Sequence, residues 1–184
     1  MEPFPLQQTA HVPLETELSP SFTQFYRQHL DRVYRYLLAR TGNIPTAEDL
    51  TAETFHAAFQ KFEHYNPQRS APTTWLIGIA RHKLADHWRR ARPHIPLETA
   101  ETLPARQPST EERAARRLQM AQVSAALQEI SPERAEALAL HFFGGLSVDE
   151  TAQAMGKHSE AVKKLLQRGL ADLRQRLITP EVLE

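Results

Sequence analysis

The sequence contains no cysteine, which excludes a disulfide framework, thiolate zinc sites and a cysteine nucleophile. Net charge is also absent: 22 lysines and arginines balance 22 aspartates and glutamates among 184 residues. No apolar run approaches the roughly 18 residues that a membrane span needs, so no direct membrane insertion is expected. The first 20 residues carry three glutamates and no lysine or arginine, which does not fit a secretory leader. A soluble, cytoplasmic protein is the default expectation. There is no glycine-rich phosphate loop and no Gly-x-Ser-x-Gly elbow. Glu53-Thr54-Phe55-His56 is a lone Glu-x-x-His, whereas a di-iron bundle needs two copies and further carboxylates. The nine histidines are scattered. No enzyme chemistry, metal or cofactor is expected from these residues.

What is present is a helical chain with segregated charge. Apolar residues make up 41% and charged residues 24%, a composition that suits a globular protein. No strand-period run appears, and the architecture reads as all-α. Prolines at 93, 96, 104 and 108 mark a linker between two small helical domains. The expected division is a tail at 1–20, a first domain at 21–92, a linker at 93–117, a second domain at 118–178 and a tail at 179–184. The first domain holds 11 basic and 6 acidic residues. In the second, Glu129 to Glu150 has five acids and one base, while Lys157 to Arg176 has six bases and two acids.

Local signals place the helices. Ser19-Pro20 opens the first, whose apolar stripe is Phe22, Phe25, Tyr26, Val33, Tyr34, Leu37 and Leu38 and which ends at Thr41-Gly42. Thr46-Ala47-Glu48-Asp49 resembles a capping box for the second, with Leu50, Phe55, Ala58, Phe59 and Phe62 on its apolar side. After a polar loop, Pro72 opens a third helix carrying Trp75, Leu76, Ile79, Ala80, Leu84 and Trp88. Ser109 to Glu112 caps a helix running to about Glu129, and Ser131-Pro132 restarts the chain as far as Phe143. Ser147 then caps a short helix that stops at Gly156, and Ser159 is expected to cap the last long helix. A short helix, a glycine turn and a longer basic helix form a helix-turn-helix pattern.

Three constellations stand out, each with a plain structural counterpart. The basic helix could lay its first turns in a major groove, with Lys163, Lys164, Gln167 and Arg168 reaching phosphates or base edges; it could also be a solvated face. Residues 65–92 combine an aromatic, a polar loop and a cationic helix end, which suits separated DNA strands; yet Trp75 and Trp88 at helical spacing are equally core residues. Glu48, Asp49 and Glu53 support a helix N-terminus through its dipole and could dock a basic partner.

In combination these residues resemble an extracytoplasmic-function (group 4) sigma factor of bacterial RNA polymerase. Sigma region 2 is carried by Ala47-Glu48-Asp49-Leu50, Glu53, Phe55, Trp75-Leu76, Ile79-Ala80-Arg81, Asp86 and Arg89-Arg90. Region 4 is carried by Ser131-Pro132, Ala135, Leu138, Leu146-Ser147, Glu150, Ala152, Gly156, Val162-Lys163, Arg168 and Leu173. The resemblance implies a transcription initiation factor whose partners are core RNA polymerase, promoter DNA and an anti-sigma factor. It implies that Glu48, Asp49, Ala52 and Glu53 bind polymerase. Tyr65, Asn66, Gln68, Arg69, Trp75, Arg81, Lys83, Arg89 and Arg90 would bind and open the −10 element. Lys157, His158, Ser159, Lys163, Lys164, Gln167 and Arg168 would read the −35 element. The chain departs from the family pattern at Ala52, His82, Thr151, Ala161 and Leu165; Thr151 stands where isoleucine is usual. A helix-turn-helix regulator without a sigma role, and a helical metalloenzyme, are the competing classes.

Overall fold

The computed structural model describes residues 20–90 and 110–178. These form seven α-helices and, among the described residues, no strand. The first block holds α1 (Pro20–Thr41), α2 (Ile44–Lys61), a 3₁₀ turn at Phe62–His64, and α3 (Pro72–Arg90). The second holds α4 (Thr110–Gln128), α5 (Pro132–Leu138), a π-helical turn at Ala139–Phe143, α6 (Val148–Met155) and α7 (Ser159–Ile178). The proline-marked stretch between the blocks falls at residues 91–109, outside the described residues, as do Ser19, Ser109 and both tails.

Two of the expected helix starts move. The second helix begins at Ile44 rather than Thr46: Asn43 is the N-cap, and its side-chain oxygen accepts the Thr46 backbone N–H at 2.9 Å. Thr46 therefore supplies a capped N–H instead of the cap. Ser159 lies inside the first turn of α7 and its hydroxyl donates to Asp149; the carbonyl of His158 receives the first α7 amides. Ser147 does close a capping box with Glu150, through bonds of 3.1 and 2.8 Å. Gly156 ends α6 at φ 64°, a left-handed conformation that suits glycine because it has no Cβ.

Aromatic rings fill the first block. Phe22 and Phe25 of α1 meet Phe62 at 5.0 Å between centroids in each case. Tyr65 stacks on Trp75 at 4.6 Å. Leu76, Ile77, Ala80 and Leu84 are the buried face of α3, whereas Trp88 remains 39% exposed. The second block is packed with aliphatic side chains, among them Leu127, Ala135, Leu138, Ala152, Val162 and Leu166.

The end of α1 joins the two blocks. Residues 36–40 are all buried, including Tyr36, which sequence periodicity placed outside the apolar stripe. A helix buried on every side must be packed from every side. Here α2 and α3 cover one flank, and α4 with the π-helical turn covers another. Ala139, Leu140 and Leu146 of the second block belong to the same core as Phe22, Leu37 and Leu76, while Ala39 belongs to the core of the second.

Candidate polymerase and nucleic-acid interfaces

The acidic face of α2 is open. Glu48, Asp49 and Ala52 are exposed, while Leu50, Thr51, Thr54 and Phe55 on the other side are buried. Glu53 is partly covered and lies 3.3 Å from Lys83 of α3. The helix thus presents carboxylates to solvent and keeps its apolar side inward, the arrangement a cationic partner needs.

The residues expected at the −10 element do not share one face. Asn66, Gln68 and Arg69 are exposed together on the loop between α2 and α3, which is shaped by Asn66 Oδ1 accepting the Gln68 N–H at 2.8 Å. Tyr65 closes that loop, its hydroxyl donating to the Ser70 carbonyl at 2.8 Å, and burial raises its pKa. Trp75 stacks against Tyr65 and also packs on Phe25, so both rings have intramolecular partners. Along α3, residues two apart point about 200° apart. Lys83 accordingly turns to Glu53, whereas Arg81 turns to the second block. Arg89 and Arg90 are exposed at the helix end, with Arg89 2.7 Å from Asp86.

The −35 candidates converge better. His158, Lys163, Lys164, Gln167 and Arg168 are all exposed on the turn before α7 or on its outer face, opposite buried Val162, Leu166 and Leu173. Ser159 is half-buried. Lys157 sits 2.9 Å from Glu133 of α5, and Lys163 sits 2.6 Å from Glu160. The Lys163–Glu160 pair holds the glutamate pKa below, and the lysine pKa above, their ordinary values. Gln167 and Arg168 lie three and four residues, about one turn, beyond Lys164 on the same face.

Sequence reasoning missed a polar cluster where the blocks meet. Glu136 of α5 accepts Arg81 Nε at 2.8 Å and the Tyr36 hydroxyl at 3.2 Å on one oxygen. Its other oxygen is 3.0 Å from Arg40 Nε, an ionic contact whose N–H is not aimed well enough to complete a hydrogen bond. Arg40 is 8% exposed, and its guanidinium lies 4.9 Å from the Trp88 ring centre. Tyr36 has its pKa raised well above the ordinary value, first by burial and then by the Glu136 charge. Arg81 also donates to the Ala154 carbonyl of α6. Nearby, the Thr74 hydroxyl donates to Glu150; that bond, with the Ser147 backbone bond, lowers the Glu150 pKa. Ser124 of α4 donates to the carbonyls of Leu38 and Ala39, and Gln128 to that of Arg40. The available signal was the run Tyr36-Leu37-Leu38-Ala39-Arg40, too continuously apolar for a helix with one solvated side.

Comparison with known proteins matches both blocks. Residues 25–94 match Sigma-70 region 2, and residues 120–173 match Sigma-70, region 4. The chain is 37% identical over 155 residues to the ECF RNA polymerase sigma factor BldN of Streptomyces coelicolor, an alignment covering 83% of this chain and 59% of BldN. It therefore spans less than two thirds of that relative's length. It is 30% identical over 153 residues to the ECF RNA polymerase sigma factor SigD of Mycobacterium tuberculosis, covering 79% of this chain and 72% of SigD. Among solved structures it resembles the sigma factor RpoE in complex with the anti-sigma factor NepR from Bartonella quintana. There the TM-score is 0.67 at 21% identity, over 89% of this chain and all of that one, a likeness of fold. With both regions matched in order and an exposed basic face on the second, the chain belongs to the ECF RNA polymerase sigma factors, a non-enzymatic family.

Proposed function

We propose that this chain binds core RNA polymerase and directs it to particular promoters, with the first block opening the −10 element and the second reading the −35 element. The observation that carries this reading is the pairing of two oppositely charged surfaces on the two matched regions: carboxylates on α2 and cations on α7. Glu48, Asp49, Ala52 and Glu53 form the polymerase-facing side. Loop residues Asn66, Gln68 and Arg69, with Arg89 and Arg90, follow the opened strand, while Tyr65 and Trp75 give the loop its rigid base. Lys164, Gln167 and Arg168 of the helix-turn-helix approach base edges or phosphates, flanked by Lys157, His158, Ser159 and Lys163. Zero net charge releases few counterions on free DNA, so tight promoter binding requires polymerase to hold both blocks at once. An anti-sigma partner is part of the proposal, supported by the complex named for the Bartonella structure. The site of action is the cytoplasm; among the described residues no helix is long and apolar enough to cross a membrane.

Run-off transcription with core polymerase, with and without the protein, tests this directly. Promoter-dependent transcripts are expected only with it. The double substitution Asp49→Ala and Glu53→Ala should remove polymerase binding while helical circular dichroism is retained. Binding to an operator that survives this change, with no polymerase contact in the wild type, would instead identify a plain helix-turn-helix regulator.

A further inference from the structure

Reading the sequence for cations passes over Glu160, which is exposed in the first turn of α7. Its angular position sets it apart. With Glu160 at about 0° and about 100° per residue, Lys163 and Gln167 fall near about −60° and −20°. Lys164 and Arg168 fall near about +40° and +80°, and the buried Val162, Leu166, Gly169 and Leu173 between about 180° and 240°. Glu160 thus stands in the middle of the cationic arc, opposite the packed side.

A helix laid in a major groove turns the centre of its outer arc to the base edges and its margins to the phosphates. A carboxylate at a margin would meet phosphate and be repelled. At the centre it meets the amino groups of cytosine and adenine, the donors of the major groove. The adenine amino group adjoins N7, an acceptor that repels a second acceptor, whereas that of cytosine adjoins only a C–H. A carboxylate so placed selects cytosine.

Lys163 extends the match. Its Nζ donates to Glu160 Oε1 at 2.6 Å, which draws the ammonium from the margin of the arc towards its centre. That bond also keeps Glu160 ionised by holding its pKa below the ordinary value. An acceptor and a donor therefore stand side by side. Across a C·G pair, cytosine N4 and guanine O6 offer the complementary order, a donor and an acceptor about 2.9 Å apart. The other ion pairs of α7, Asp172 with Arg134 and Arg176 with Glu129, run to other helices. Asp149, a second carboxylate at this end, already accepts the Ser159 hydroxyl. A purely structural Glu160 would support the helix N-terminus through its dipole and the Lys163 pair. That role acts on stability and on every DNA sequence alike, whereas reading acts on one base pair.

We propose that Glu160 is a specificity-determining residue for the −35 element, reading one C·G base pair through cytosine N4 with the Lys163 ammonium on guanine O6. This rests on the sigma-factor reading above.

Two arms test the contact with the full-length chain. In the first, random duplexes are selected on the isolated protein at low salt, where a few phosphate contacts suffice to hold DNA. The wild type should enrich cytosine at one position. Glu160→Ala should lower that enrichment about tenfold, within the range of one good base contact, and leave the other positions as they were. Glu160→Gln should turn the preference to adenine, whose N6 and N7 suit an amide. Lys163→Ala should weaken the same position. In the second arm, core polymerase carrying each chain transcribes templates randomised over the −35 element, and the same changes of base are expected. A wild type without an enriched cytosine overturns the proposal. So does a Glu160→Ala variant of unchanged helical circular dichroism that binds every duplex more weakly with the same base preference. Relaxation at different positions by the two alanine variants overturns it as well. If even the wild type directs polymerase to no template, the sigma-factor reading falls, while the selection arm still decides the base contact.

Discussion

Between the helices of the first block lie rings: Phe22, Phe25, Phe62, Tyr65 and Trp75 meet at centroid distances of 4.6 to 6.5 Å where they touch. Between those of the second lie alanine, leucine and valine. The difference bears on function. In the first block Tyr65 and Trp75, which the sequence offered as stacking groups for bases, are packing of the fold and support the loop that the proposal places on DNA. In the second block the two are separated by helix face: α7 packs through Val162 and Leu166 and displays Lys164, Gln167 and Arg168. Buried threonines repeat the contrast. Thr51 and Thr54 of α2 each donate to the carbonyl four residues back at 2.6 Å, whereas the Thr151 hydroxyl of α6 is buried without a partner.

The contrast can be broken first at Trp75. Trp75→Ala should lower unfolding stability by about 3 kcal/mol, at the low end for removing a large core ring because Trp75 is only half-buried. Denaturant unfolding checks this, and an unchanged midpoint would free the ring for DNA alone. Next, Thr151→Val should raise stability by about 1–2 kcal/mol by deleting an unsatisfied hydroxyl, whereas Thr54→Val should lower it by about 1 kcal/mol. Melting temperatures moving in the same direction would remove the contrast.

A smaller effect joins the blocks. Glu150 has a folded-state pKa below its ordinary 4.5. The folded chain thus binds fewer protons there than the unfolded one, and the contribution is present above pH 4.5 and lost as pH falls below it. Acid titration of unfolding should show this loss, and Glu150→Gln should remove that part of the profile. The smallest expected change concerns salt. With polymerase present, Lys164→Ala or Arg168→Ala should each reduce the slope of log affinity against log salt by about 0.9 if they contact phosphate. Lys157→Ala should change it less, because Lys157 is already neutralised by Glu133.

Much of the fold was legible where one residue type has one job. Pro72, Ser147 and Gly156 mark the ends they occupy. Asn43 was obscured because Thr46, three residues on, imitates a cap while serving as the capped amide. The outer face of α7 was legible because exposed residues recur at helical steps. The −10 set was not resolved by sequence reasoning, since proximity along α3 conceals that Arg81 and Lys83 point to different neighbours. Glu136 carried no local signal at all: one glutamate on a short helix looks solvated until α1 is laid against it.

The all-round burial at the end of α1 has a further consequence for the working cycle. Leu140 of the second block is buried in the core of the first, and Ala39 of the first in the core of the second. Parting them wets apolar surface, and such surface favours self-association. A chain whose blocks parted would be prone to self-association, so this hidden helix end ties solubility to the packing of one block on the other.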